Sequence, residues 1–165
     1  MLKYVNYEVV FAEIPDEISL AINISNCPCK CPGCHSPYLA EDIGERLRYD
    51  NLISLIHKNK GITCVAFMGG DADPLSVNIY ASIIKEQFPN LKVAWYSGRQ
   101  ELSKDIELSN FDFIKIGPYV EQLGPLNNPN TNQIMYKVVH EGGKNELLNI
   151  TNKFWKESLR YVQLF

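Results

Sequence analysis

The segment "ITCVAFM" (62–68) constrains this chain more than any other. A strand with one wet face alternates apolar and polar residues, whereas a continuous apolar run suits a strand covered on both faces. The next apolar stretch, "DADPLSVNIYASIIKEQF", has a helix start written into it. Asp73 can cap the first turn, and Pro74 suits the first helical position, where no backbone donor is missed. Tyr80, Ile83, Ile84 and Phe88 then form the expected buried stripe. "LKVAWYS" (91–97) reads as the next strand. Upstream, "SLAINIS" (19–25) puts Leu20, Ile22 and Ile24 on one face of a strand, and "NLISLIHK" (51–58) has apolar pairs at helical spacing. Downstream, "RQELSKDIEL" reads as a short helix, "FDFIKIG" (111–117) and "QIMYKVVH" (133–140) as strands, and "LRYVQLF" at the C-terminus as a further one.

Repeated strand–helix–strand units predict an α/β fold, with a largely parallel sheet and helices packed outside it. With 165 residues and no internal repeat or linker, the chain is expected to form one domain, 1–165. A full eight-fold barrel takes about 250 residues, so an open, partial barrel or a doubly wound sheet remains. Active groups in either sit at the carboxyl ends of the strands. There the sequence puts a cysteine loop, then "MGGD", "YSGR" and "IGPY".

That loop, "NISNCPCKCPGCHSPY" (23–38), holds four of the five cysteines: Cys27, Cys29, Cys31 and Cys34. The opening residues lack the apolar core and cleavage site of a signal peptide, and no apolar stretch is of membrane-spanning length. A cytoplasmic location is therefore expected, with no membrane contact. In that compartment a tight thiol cluster points to metal or catalysis rather than to disulfides. A net charge of −3 without a basic run argues against nucleic acid as a partner.

Structural zinc commonly uses two separated cysteine pairs, and there is no second cluster here. Cys64 stands alone in an apolar strand and reads as a small buried hydrophobe. Cys27, Cys31 and Cys34 form Cys-x3-Cys-x2-Cys. Three thiolates can hold three irons of a cubane cluster, leaving the fourth iron open. A non-catalytic zinc module is the competing reading.

On Cys-x3-Cys-x2-Cys after a strand, and "FMGGD" (67–71) ending the next one, the chain resembles the radical S-adenosylmethionine (SAM) superfamily. "CPGCHSP", "MGGDADP" and "WYSGR" resemble its activases of glycyl radical enzymes. "DFIKIGPYVEQLGPL", "NPNTNQIMYKV" and "ITNKFW" are similar to the branch acting on anaerobic ribonucleoside-triphosphate reductase. The resemblance implies a partial, open β/α barrel and two cofactors, a [4Fe-4S] cluster and SAM. It implies reductive cleavage of SAM to a 5′-deoxyadenosyl radical, which takes a hydrogen from a glycine of the large reductase subunit. A flavodoxin-like protein would donate the electron. Cys27, Cys31 and Cys34 would ligate the cluster. Gly33 and His35 would lie on the adenine side of SAM. Gly69, Gly70 and Asp71 would hold its methionine end, with the glycines admitting close backbone approach and Asp71 pairing with the ammonium. Ser97 and Gly98 would approach the ribose or methionine groups. An activase of another glycyl radical enzyme, or a small-molecule enzyme like the deazapurine carboxylate synthases, is the alternative within that chemistry.

Several residues stay outside the pattern. Cys29 lies between two expected ligands and reads as a spectator, an assembly aid or a redox-sensitive thiol. Asn132 and Gln133 match a pair in the resembled branch without a mechanism attached. Gly33 stands where many superfamily members carry an aromatic residue. His57 reads as a surface or boundary histidine, His140 as a strand-end residue with no chemistry assigned, and Trp95 and Trp155 as packing aromatics.

Overall fold

The computed structural model describes residues 1–155. Its strands are β1 (Lys3–Val10), β2 (Ser19–Ile24), β3 (Glu45–Arg46), β4 (Cys64–Met68), β5 (Lys92–Tyr96), β6 (Phe113–Ile116), β7 (Ile134–Glu141) and β8 (Lys144–Asn149). Two α-helices, α1 (Tyr49–Lys58) and α2 (Pro74–Gln87), precede β4 and β5. All eight strands form one sheet, in the order β3-β1-β2-β4-β5-β6-β7-β8. The expected strand at "LRYVQLF" lies outside the described residues.

The fold is mixed α/β, and the expectation of a largely parallel sheet needs correcting. Only three pairings are parallel: β2 with β4, β4 with β5 and β5 with β6. The other four pairings, β1 with β2, β1 with β3, β6 with β7 and β7 with β8, are antiparallel. The physical reason lies in the connections. A parallel pair needs a crossover of a dozen or more residues, which the chain makes from β2 to β4, β4 to β5 and β5 to β6, while β7 and β8 are joined by two residues, a link that only an antiparallel pair can use. Among the described residues no helix is long and apolar enough to cross a membrane.

A second correction concerns "RQELSKDIEL", which forms no α-helix; only a 3-10 turn at Leu108–Asn110 appears near its end. Ser103 explains this locally. Its hydroxyl accepts from the amide of Asp105 at 3.2 Å, and its carbonyl accepts from Ile106 at 3.2 Å. Asn78 on α2 takes the amide of Glu107 at 2.9 Å. Side-chain partners of this kind compete with the helical ladder.

Helix α2 begins as its sequence predicts: Pro74 is in the first turn and the Asp73 carboxylate accepts from the amide of Ser76 at 3.1 Å. Its buried stripe is Val77, Ala81 and Ile84, with Tyr80 and Phe88 packed partly against the core and Ile83 half-exposed. Each fully buried Val or Ile contributes about 1.5–3 kcal/mol.

Strand alternation divides the core in two. Leu20, Ile22, Val65, Phe67, Val93, Trp95 and Ile114 face α1 and α2. Cys64, Ala66, Ala94 and Phe113 face the other way, under Ile14, Leu126, Met135 and Ile150. Cys64 through Phe67 are therefore covered on both sides, as the apolar run requires.

Candidate functional site

Register decides what stands on the face away from the helices. Ala21, Ala66, Ala94 and Phe113 are consecutive partners across the four parallel strands. Two residues further along each strand, and so on the same face, lie Asn23, Met68, Tyr96 and Lys115, also consecutive partners. These four line a cavity of about 880 Å³ at the carboxyl ends of the strands. The loops after those strands, with Pro125, Leu126 and Phe154, complete its wall.

The cysteine loop forms one side of this cavity. Its start is pinned to the 3-10 segment Pro37–Ala40, where the amide of Cys27 donates to Leu39 O at 2.8 Å. Asn26 (φ 61) and Lys30 (φ 44) adopt left-handed backbone on either side of Cys27–Cys29. A non-glycine residue in that region costs about 1 kcal/mol, so the two turns imply loop contacts strong enough to hold them. All four thiols line the cavity. Their grouping is uneven. The ligand atoms of Cys27, Cys29 and Asp71 all lie within 4.8 Å of one another, and Cys31 and Cys34 are outside that group. Cys34 instead accepts the amide of Ser36 at 3.4 Å.

Asp71, at the end of β4, is 3% exposed. It receives the Ser97 hydroxyl on Oδ1 at 2.5 Å and the Gly98 amide on Oδ2 at 2.8 Å. Cys29 Sγ is 3.9 Å from Oδ2. Burial first, then the Asp71 carboxylate, pushes the Cys29 thiol up to about 12. A Cβ on Gly98 would lie 2.8 Å from that sulfur, so the missing side chain admits Cys29 to the carboxylate. Gly69 lines the cavity at φ +100, with its carbonyl held by Trp95 Nε1 at 2.9 Å. Gly70 has the same φ, and a Cβ there would strike Val77 at 2.6 Å. Its job in the fold is to let α2 pack against the strand end.

Of the residues expected to form the site, Cys27, Cys31, Cys34, His35, Gly69 and Gly98 border the cavity; Gly70, Asp71 and Ser97 are buried outside its lining, and Gly33 is exposed outside it. Asp71 and Ser97 form a brace joining the ends of β4 and β5. Gly33 has φ +76 beside Tyr119, and His35 meets the Tyr119 ring at 5.5 Å between centroids. Asn132 Nδ2 donates to Pro118 O at 3.0 Å, and Gln133 is buried at the cavity wall. Both therefore shape the turn after β6. His57 and His140 are exposed, and Trp95 is buried in the core. Trp155 donates to Leu126 O at 3.0 Å, tying down one rim loop.

The sequence reading missed Lys115 and Tyr96. Lys115 is 7% exposed and donates from Nζ to Gly117 O at 2.7 Å and Ser97 O at 3.2 Å. Burial pushes its ammonium down to about 8, against the opposing pull of Asp71 and, more weakly, of Cys31, Cys29 and Cys27. The Tyr96 phenol donates to Glu13 O, and its burial raises its pKa. A lone lysine inside the apolar run "FDFIKIG" was the signal that could have found the first of them. No protein-family model, curated protein or solved structure matches the chain.

Proposed function

We propose that this chain is a radical SAM activase that installs the glycyl radical of anaerobic ribonucleoside-triphosphate reductase. The observation that carries the reading is that Cys27, Cys31 and Cys34 border one cavity with the Gly69 turn, at the carboxyl ends of four parallel strands. The helices cover the far face of those strands, which fits a short arc of an open β/α barrel with the cavity on its inner side.

The donor set suits the cofactors. Three thiols without a fourth in Cys-x3-Cys-x2-Cys register match a cluster with one open iron. A cavity of about 880 Å³ falls within the range of small-molecule sites. When bound, the cluster supplies one electron to cleave the sulfonium bond of SAM. The protein's own residues bind and orient. Cys27, Cys31 and Cys34 hold the metal end. Gly69, stripped of a side chain and fixed by Trp95, offers backbone to the methionine end, and His35 with Tyr119 offers an aromatic flank to the adenine side. Asp71 acts through its brace to Ser97 and Gly98, since it does not line the cavity. Lys115 supplies a buried amine on the same cavity as the four cysteines. The substrate glycine would enter from the open side of the cavity, with the electron coming from a flavodoxin-like donor.

Anaerobic iron–sulfide reconstitution, followed by incubation with SAM, reductant and the reductase, tests this. The expected result is a brown, reducible cluster and a glycyl radical signal in electron paramagnetic resonance. Stoichiometric zinc uptake with no reducible cluster would overturn the enzyme reading. Deoxyadenosine release without a glycyl signal would overturn the choice of partner.

A further inference from the structure

We infer a second metal site, one for a single thiophilic divalent cation such as Zn²⁺, formed by Cys27, Cys29 and Asp71. It shares Cys27 with the proposed cluster, so the two occupants exclude one another. The site itself stands on geometry alone; only the exclusion rests on the activase reading.

Three observations carry it. First, the three ligand atoms lie within 4.8 Å of one another, and Cys29 Sγ is 3.9 Å from Asp71 Oδ2. A tetrahedral ion with bonds of about 2.3 Å to sulfur and about 2.1 Å to oxygen sets its ligands roughly 3.6–3.8 Å apart. The group therefore needs to contract by no more than about 1 Å, within the rotamer freedom of two cysteines. Second, the position of Cys29 is built rather than incidental. The wall opposite its sulfur is Gly98, where any Cβ would stand 2.8 Å away. The left-handed turns at Asn26 and Lys30 set the 27–29 segment apart from Cys31 and Cys34. Third, the carboxylate is already oriented. Ser97 and Gly98 each use one lone pair of Asp71, leaving a lone pair on each oxygen for a cation. Outer-shell hydrogen bonds of this kind hold a metal-ligating carboxylate in place. Two thiolates and one carboxylate leave one negative charge around a divalent ion. Three protein ligands leave the fourth position to water.

The site gives Cys29 a task that the cluster motif does not. A chain holding zinc there would have Cys27 engaged and would be closed to cluster assembly.

The test uses the full chain, metal-free, reduced and air-free, titrated with Co²⁺ alone as the spectroscopic probe. One Co²⁺ per chain is expected, with tetrahedral d–d bands, thiolate-to-cobalt charge transfer from two sulfurs, and displacement by Zn²⁺. Cys29→Ser and Cys29→Ala should each weaken binding by roughly a hundredfold or more, beyond the ten- to hundredfold typical of an outer-shell change. Cys31→Ser and Cys34→Ser should leave the cobalt spectrum unchanged. Circular dichroism checks that each variant is folded. Wild-type affinity in the Cys29 variants, absence of binding in wild type, or loss of the signal in Cys31→Ser would each overturn the site. For the exclusion, one equivalent of Zn²⁺ added before iron–sulfide reconstitution should suppress the cluster in wild type and not in Cys29→Ser. Equal suppression in both would overturn it. No cluster in any sample, zinc-free ones included, would refute the activase reading and leave the cobalt result standing.

Discussion

Asp71→Ala is the perturbation whose cost can be worked most directly from the structure. The carboxylate is 3% exposed and accepts two hydrogen bonds, from Ser97 Oγ at 2.5 Å and Gly98 N at 2.8 Å. Hydrogen bonds to a charged group contribute about 1.5–3 kcal/mol each, and a buried donor left without an acceptor costs about 1–3 kcal/mol. Ser97 is buried, so its hydroxyl bears that cost in full; the Gly98 amide is half-exposed and water can replace part of its loss. Lys115 also loses the carboxylate that favours its charged form. The sum is about 3–5 kcal/mol, a large part of the 5–15 kcal/mol that holds a domain of this kind together. Asp71→Asn should cost only about 1–2 kcal/mol. Its amide oxygen can take the Gly98 donor, and its NH2 can donate to the Ser97 hydroxyl, which rotates to suit. Urea unfolding of both variants measures this as a shift in midpoint at constant slope. A cost under about 1 kcal/mol for Asp71→Ala, or equal costs for the two, would refute the brace between β4 and β5.

Other outcomes are equally specific. Cys27→Ala, Cys31→Ala and Cys34→Ala should each abolish cluster binding, while Cys29→Ser should keep most of it; iron and sulfide content after reconstitution decides. Gly98→Ala should fold, since Gly98 is not among the glycines with positive φ, yet lose Co²⁺ binding because the new methyl sits 2.8 Å from Cys29 Sγ. Burial raises the Cys64 thiol from 9.0 to about 12. The unfolded chain then loses that proton before the folded one does, so stability falls as pH rises from about 9 towards 12, by up to about 1.4 kcal/mol per pH unit. Chemical unfolding across that range should show a shallower decline for Cys64→Ala than for wild type, and parallel declines would contradict the buried thiol.

Much of the parallel centre was legible in the residues. "SLAINIS", "ITCVAFM", "LKVAWYS" and "FDFIKIG" carry runs or alternations long enough to mark β2, β4, β5 and β6. On the flanks, "QIMYKVVH" marked β7, while β1, β3 and β8 were not read. All six residues of β8 are exposed, so its segment "KNELLN" has no apolar periodicity to find. The signal present was Gly142–Gly143, both at positive φ, making the two-residue hairpin between Glu141 and Lys144. Strand β1 is only half-covered along its length and leaves a similarly weak pattern. "RQELSKDIEL" misled because its helical composition competes with Ser103 and Asn78, whose hydrogen bonds depend on the packing of α2.

By itself the sequence determined that α1 and α2 separate the strands β2, β4 and β5, that the thiols follow the first of these strands, and that Gly69, Gly70 and Asp71 come after the next one. Those properties are local, set by side-chain period, capping and the backbone needs of glycine. Only the tertiary structure decided that the sheet has antiparallel flanks, that Asn23, Met68, Tyr96 and Lys115 form one row, and that Cys29 rather than Cys31 meets Asp71. Pairing register and loop turns govern these. They join residues up to about ninety positions apart through contacts that no short stretch of chain encodes.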